Sequence, residues 1–131
     1  IEALRKSLAT QNCNSVEFDP ETEHPVVIPV EDLDTQYMGG TMKLGLKKTV
    51  TQDGEIFERH RHRYEINPRY INDLKKEGLY FPGTSEDGFC MDICCINKLK
   101  FYKGCQYHPE FLSRLDKPGP LFREFVSAII N

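Results

Sequence analysis

The chain has 131 residues, of which 28% are charged and 39% hydrophobic, and its formal net charge is −3. These values indicate a folded domain with one modest core and exclude a disordered segment. The negative charge argues against nucleic-acid binding, in spite of a basic run at 59–63, and no stretch approaches the roughly 20 apolar residues that a membrane span needs.

The first thirty residues predict one helix followed by extended segments. In 1–10, apolar residues recur at positions 1, 4 and 8, a helical period that Asn12 and Asn14 end. Segment 16–18 is predicted to be short and extended. Segment 26–28 contains three β-branched residues in a row, which predict a short strand or an extended loop.

The middle of the chain predicts two extended segments and a helix. The glycine pair at 39–40 marks a turn, and the alternation of apolar with polar or small residues in 42–47 predicts a half-buried strand. Segment 58–66 alternates charged with ring and apolar side chains and predicts a strand or an extended loop. Segment 68–78 has apolar residues at helical spacing and ends with Gly78, a residue typical of helix C-termini.

The last third predicts three strands and a helix. Segments 79–82, 89–96 and 99–107 are predicted to be successive strands separated by turns. The final helix should begin near Pro120 and pack one apolar stripe on a sheet, formed by Leu121, Phe122, Phe125, Val126 and Ile129. A helix, a run of strands and a second helix are typical of the back half of a three-layer α/β domain.

The five cysteines predict reduced thiols in a cytosolic protein. Cys90, Cys94 and Cys95 lie in one apolar, strand-like run, where neighbouring side chains point to opposite faces. No C-x-x-C pair accompanies them, so zinc is a poor interpretation. We interpret these three residues as small buried hydrophobes.

The most informative segment is 104–111, which reads GCQYHPEF. Pro109 restricts His108 to extended geometry, so we expect His108 at the end of the preceding strand. His108 and Glu110 would then leave the backbone on the same side. A carboxylate beside an imidazole can make the histidine a general base. Taken alone, the triplet favours a plainer interpretation, in which a histidine ends a strand and the glutamate lies in solvent.

Three longer motifs change that interpretation. The chain contains MGGTMKLG at 38–45, ERHRHRYEINP at 58–68 and YHPEFLS at 107–113, in this order, and NSVEFDP at 14–20. Together they resemble the class I (triad-type) glutamine amidotransferases, and within this family the glutaminase domain of the CTP synthases. The resemblance covers nearly the whole chain. It implies a three-layer, flavodoxin-like α/β fold.

The resemblance also assigns roles to individual residues. It implies that His108 is the general base and that Glu110 orients it. Glu17 matches a glutamate that helps to hold the substrate glutamine, and a carboxylate suits the ammonium group of an amino acid. Arg63 matches a position in the same site, where it could bind the substrate carboxylate through its guanidinium or contribute only its backbone.

No metal site is predicted, and one cysteine requires separate treatment. His60 and His62 would share a face of a strand, but the neighbouring arginines oppose a dication. Cys105 would face away from His108 and lacks the glycine elbow that exposes a nucleophile, so we interpret it as a core residue.

The activity that the resemblance implies is the ATP-dependent amination of UTP to CTP, with ammonia released from L-glutamine. The family's nucleophile is a cysteine in a G-x-C-x-G elbow, and this sequence has no such motif. We therefore expect 1–131 to be the C-terminal portion of the glutaminase domain, with the elbow and the synthase domain outside this chain.

Cofactors and partners follow from the same resemblance. ATP, UTP and magnesium are expected in the synthase domain, and no cofactor is expected in this chain. The intact enzyme should be a cytoplasmic homotetramer without nucleic-acid or membrane partners. Two alternatives stay open: a non-catalytic amidotransferase-like binding module, and another hydrolase on the same fold, which the length of the motifs disfavours.

Overall fold

The computed structural model describes residues 1–30 and 42–130. The helices in these ranges are α1 (Glu2–Leu8), α2 (Ile71–Lys76) and α3 (Pro120–Ile130), with short 3-10 helices at Pro68–Tyr70 and Pro109–Phe111. The strands are β1 (Cys13–Ser15), β2 (His24–Pro29), β3 (Lys43–Thr51), β4 (Gly54–His62), β5 (Tyr64–Ile66), β6 (Leu79–Ser85), β7 (Ile93–Ile96) and β8 (Lys103–Cys105). No helix of these ranges is long and apolar enough to cross a membrane.

The strands form two sheets. The first has the order β1-β2-β5, and the second has the order β4-β3-β6-β7-β8. Within the described residues only β1 and β2 pair in parallel, and every other pair is antiparallel. Strands β4 and β5 are separated by a single residue, Arg63, so the chain passes directly from one sheet to the other at this point.

One apolar cluster joins the three-stranded sheet to α1 and α2. Its buried members are Leu4, Cys13, Val26, Tyr70 and Leu74. The 3-10 helix that leads directly into α2 has a capped start, because the side chain of Asn67 accepts a hydrogen bond from the backbone N–H of Arg69 at 3.0 Å. Gly78, at φ 92°, follows the helix in a conformation that glycine adopts without strain.

A second, smaller cluster lies on the five-stranded sheet and consists of Ile93, Cys95 and Tyr107, with Ile56 and Cys105 packed against it. Gly83 belongs to the same region. A Cβ atom at this position would lie 2.7 Å from Cδ1 of Ile93 and 3.0 Å from Cγ2 of Thr49. The side chains of β3 and β7 therefore approach the backbone of β6 so closely that only glycine fits without a shift.

Most predicted elements are confirmed, and the exceptions are local. The helix in 1–10, the strand at 26–28, the strands in 58–66 and the helix in 68–78 are present. Segment 16–18, expected to be extended, forms a turn instead. The backbone N–H groups of Phe18 and Asp19 donate to the carbonyl of Ser15 at 3.1 and 3.0 Å, and the strand ends before this turn.

The predicted strand in 42–47 exists as part of β3, but its leucines point outward. Leu44 is 61% exposed and Leu46 is 55% exposed, whereas Thr49 is fully buried. The opposite face of β3 covers a polar interior, where the hydroxyl of Thr49 donates to Asp92 at 2.6 Å. The alternation therefore predicts the strand correctly but not its buried face. The predicted turn at 39–40 lies outside the described residues.

Two predictions for the last third are corrected. The expected strands at 89–96 and 99–107 are reduced to β7 and β8, because bends and irregular backbone occupy the rest. Helix α3 begins at Pro120 as expected, yet none of its residues is buried. Phe125 packs on Phe101 with 5.3 Å between the ring centroids, while most of the predicted apolar stripe remains exposed.

Leucine-to-alanine substitutions test whether the first apolar cluster, to which Leu4 belongs, holds the fold together. Leu4 is fully buried in the first cluster, whereas Leu115 is fully exposed and serves as the matched control. We expect Leu4→Ala to lower the free energy of unfolding by about 2–5 kcal/mol, through lost burial and the cavity left behind. Leu115→Ala should change it by less than about 0.5 kcal/mol. Urea unfolding of both variants measures the difference; equal values would contradict this placement of the core.

Candidate active site

His108 and Glu110 form a hydrogen-bonded pair. Nδ1 of His108 lies 2.7 Å from Oε1 of Glu110. The expected pair is therefore present. The two side chains meet because of a helical turn, however, and not because they alternate along a strand. Strand β8 ends at Cys105, and Pro109 begins a 3-10 helical turn at Pro109–Phe111 that carries Glu110 back to the ring of His108.

The backbone and the ring of His108 are both held. Its backbone N–H donates to the carbonyl of Arg59 in β4 at 2.8 Å, and its φ of −104° and ψ of 88° lie outside the helical region that the following proline disfavours. The ring of Phe111 stacks on the imidazole with 4.8 Å between centroids and 17° between planes. The side chains of His108 and Glu110 remain 38% and 53% exposed.

This arrangement leaves one nitrogen of His108 available for proton transfer. The hydrogen bond from His108 lowers the pKa of Glu110, so this carboxyl is ionised at neutral pH. An ionised carboxylate only accepts hydrogen bonds, so the neutral imidazole carries its proton on Nδ1. The lone pair is then on Nε2, which is the geometry of a general base with an orienting carboxylate.

Glu17 and Arg63 lie at the same end of the three-stranded sheet. Glu17 is exposed in the turn that follows β1, and its backbone N–H donates to Oγ of Ser15 at 3.3 Å. Arg63 is exposed between β4 and β5, and its carbonyl accepts the N–H of Val30 at 2.8 Å. Since β1 and β5 both pair with β2, the backbone positions of these two residues flank the carboxyl end of β2.

The His108 segment is linked to the Arg63 bend through β4. Arg59 binds the backbone of His108, and Arg63 follows on the same run of chain, directly after this strand. The structure thus places Glu17 and Arg63 together at one sheet end and attaches His108 to the strand that leads to Arg63.

Sequence reasoning missed the importance of His60 and His62. His60 is 2% exposed, and its Nδ1 lies 3.1 Å from Nε2 of His62. Nδ1 of His62 in turn lies 3.1 Å from the carbonyl oxygen of Tyr64. Burial lowers the pKa of both histidines to about 4, so both are neutral at physiological pH. Their i, i+2 spacing on a strand is the sequence signal for this pair, because it places both side chains on one face.

The described residues contain no group of three or more histidine, cysteine, aspartate or glutamate side chains that could hold a metal ion. Polar groups nevertheless fill the space beneath β3, which is the interior on the side of this strand that carries Thr49. Asp92 is 1% exposed, and burial raises its pKa. The thiol of Cys90 donates a hydrogen bond to the carboxylate of Glu65. The sulfur of Cys90 in turn accepts a hydrogen bond from the ammonium group of Lys43.

The cysteines are free thiols, as predicted, but they have different surroundings. Cys95 lies in an apolar cluster, as expected of a small hydrophobe. Cys90 is buried among charged groups instead, which corrects the apolar interpretation of this residue. Cys105 is half-buried and its thiol donates to the carbonyl of Tyr107 at 3.3 Å. Burial raises the pKa of Cys105 to about 11, which makes it a poor nucleophile at neutral pH.

Comparison with known proteins gives matches along the whole chain. The family model "Glutamine amidotransferase class-I" matches residues 8–128. The CTP synthase of Aquifex aeolicus is 43% identical over 100% of this chain and 27% of its own length. The CTP synthase of Staphylococcus saprophyticus is 39% identical over 100% of this chain and 26% of its own length. The chain thus spans about a quarter of the length of these curated relatives.

A solved structure is also similar to this chain. The glutaminase domain of Trypanosoma brucei CTPS, determined with bound acivicin, superimposes with a TM-score of 0.86 at 31% sequence identity. The match covers 98% of this chain and 54% of the other.

The neutral histidine pair makes a prediction about acid stability. The ordinary histidine pKa is 6.5, and the folded values are about 4. Between these two pH values the unfolded chain binds protons that the folded chain does not, so the free energy of unfolding should decrease as the pH falls from about 6.5 to about 4. Urea unfolding across this pH range measures the decrease. In a double variant with His60→Asn and His62→Asn, the free energy of unfolding should depend much less on pH over the same range. An unchanged slope in that variant would contradict the assignment.

Proposed function

The chain belongs to the class-I glutamine amidotransferase family, and we propose that it is the C-terminal portion of the glutaminase domain of a CTP synthase. The complete protein would catalyse the ATP-dependent amination of UTP to CTP with ammonia from L-glutamine. The observation that carries the catalytic part of this proposal is the pair formed by His108 and Glu110, at 2.7 Å. Similarity to CTP synthases along the whole chain supports the choice of this enzyme over a non-catalytic binding module.

The fold agrees with this family. The TM-score of 0.86 with a glutaminase domain shows that the chain has the fold of a class I glutamine amidotransferase, the flavodoxin-like α/β architecture that the sequence resemblance implied. In such folds, ligands bind outside the carboxyl ends of parallel strands. Glu17 follows the carboxyl end of β1, and Arg63 lies beside the carboxyl end of the parallel strand β2.

In the proposed reaction, a cysteine thiolate outside this chain attacks the side-chain carbonyl of glutamine. His108 accepts the thiol proton at Nε2 and donates a proton to the departing nitrogen, which leaves as ammonia. The resulting glutamyl thioester is hydrolysed by a water molecule that His108 deprotonates, and glutamate is released. Glu110 holds the imidazole in the required tautomer and stabilises its charged form during each transfer.

The glutamine itself would be held by two charged residues. The carboxylate of Glu17 would pair with the substrate ammonium group. Arg63 would contact the substrate carboxylate through its guanidinium or present its backbone to the substrate. Both residues are exposed where they would meet a small ligand.

The remaining parts of the proposal concern the complete protein. We propose that ATP, UTP and magnesium bind in a synthase domain, that this domain is the partner of the glutaminase domain, and that the enzyme is a cytoplasmic homotetramer. This chain would contribute no cofactor ligand.

Replacing the general base tests the proposed function. In the full-length protein, His108→Ala should reduce glutamine-dependent CTP formation by about 100-fold or more, which is the usual contribution of a general base. CTP formation from added ammonium chloride should persist, because free ammonia bypasses glutamine hydrolysis. Glu110→Ala should be milder than His108→Ala, since water can partly replace an orienting carboxylate. Steady-state rates with the two nitrogen donors measure both effects.

A histidine outside the site provides the control. His24 lies at the start of β2, with Nδ1 3.3 Å from the hydroxyl of Tyr70, so His24→Ala should leave the ratio of glutamine- to ammonia-dependent rates unchanged. Equal loss of both activities in His108→Ala would indicate a structural role for His108. A larger loss in Glu110→Ala than in His108→Ala would overturn the assigned roles.

A further inference from the structure

Two hydrogen bonds hold the bend at Arg63. One is made by the backbone carbonyl of Arg63 itself, and the other joins its two sequence neighbours, His62 and Tyr64. The carbonyl of Arg63 accepts the N–H of Val30 at 2.8 Å, which fixes the bend to the end of β2. The side chain of His62 spans the bend, because its Nδ1 lies 3.1 Å from the carbonyl oxygen of Tyr64. His62 ends β4 and Tyr64 begins β5, so this contact joins the adjacent ends of two strands of different sheets.

The chemistry of these contacts fixes the tautomer of both histidines. A backbone carbonyl only accepts hydrogen bonds, so Nδ1 of His62 carries the proton. A neutral His62 then has its lone pair on Nε2, to which Nδ1 of His60 must donate at 3.1 Å. The hydrogen bonds run in one direction, from His60 to His62 to the carbonyl of Tyr64.

His60, the first donor of this series, is buried and adjoins the His108 segment. His60 is 2% exposed, and its ring lies 6.0 Å from that of Tyr107, which is itself 7% exposed. Tyr107 directly precedes His108, whose backbone binds the carbonyl of Arg59. The same series argues against a metal, because both ring nitrogens of His62 are engaged.

We propose that the His60–His62 pair positions the Arg63 bend for glutamine binding and so sets the affinity for this substrate. Neither histidine needs to touch the substrate, and both act through the backbone between β4 and β5. The inference rests on the proposed function, in which Arg63 belongs to the glutamine site. Loss of the contact to Tyr64 would let the bend relax and would weaken glutamine binding more than the chemical step.

Two amide variants of His62 in the full-length protein separate this role from a general packing role. An asparagine can place its amide N–H near the position of Nδ1 and keep the bond to Tyr64, whereas a glutamine places it near Nε2, on the side of His60. We expect His62→Asn to keep the KM for glutamine within about twofold. His62→Gln should raise it about 5- to 10-fold, the effect of one lost hydrogen bond. The kcat at saturating glutamine should change less, and ammonia-dependent CTP formation should be unchanged in both.

His24→Asn and His24→Gln are the matched controls. His24 is a half-buried histidine with one side-chain hydrogen bond, at the opposite end of β2 from Val30. Both control variants should leave the KM for glutamine unchanged. A KM that is the same in His62→Asn and His62→Gln, or a parallel loss of both activities in His62→Gln alone, would overturn the inference. A wild-type protein with ammonia-dependent but no glutamine-dependent CTP formation would instead overturn the proposed function.

Discussion

The backbone hydrogen bond from His108 to Arg59 ties the turn that carries His108 and Glu110 to the sheet. Strand β4 is at the edge of the five-stranded sheet, so its outer carbonyl groups need partners. The segment that carries His108 supplies one of them at 2.8 Å. The imidazole is then placed by the sheet, and Pro109 and the 3-10 turn only have to bring Glu110 back to it. A base held by a backbone contact keeps its position without a buried side chain, which explains how both members of the pair remain partly exposed.

The space beneath β3 is filled with polar groups, and this has a thermodynamic cost. Glu58, His60 and Asp92 are buried, and each has one side-chain polar atom without a hydrogen-bond partner among the described residues. Such atoms reduce stability unless water or another group satisfies them. The histidines lower this cost by remaining neutral. The arrangement also gives the hydrogen bonds one direction, because Nδ1 of His60 meets Nε2 of His62 and Nδ1 of His62 meets the carbonyl oxygen of Tyr64.

The elements of secondary structure could largely be read from the sequence, but their buried faces could not. Pro68, Gly78 and Pro120 mark helix ends through backbone constraints that act locally, and the helices begin or end where these residues predict. The leucines of β3 and the apolar stripe of α3 followed the correct periods yet remain exposed. Periodicity reports which residues share a face; which face is buried depends on the elements that pack against it, and these are distant in sequence.

The sequence by itself determined the family, through the order of its motifs, and its His-Pro-Glu step predicted a base and its orienting carboxylate. It also excluded Cys105 as a nucleophile, in agreement with its raised pKa. Only the tertiary structure decided how these groups are held. The turn that joins His108 to Glu110, the sheet end shared by Glu17 and Arg63, and the neutral His60–His62 pair all depend on contacts between segments that are separate in sequence or on burial. Burial and long-range pairing set protonation and position, and neither can be read from local residue patterns.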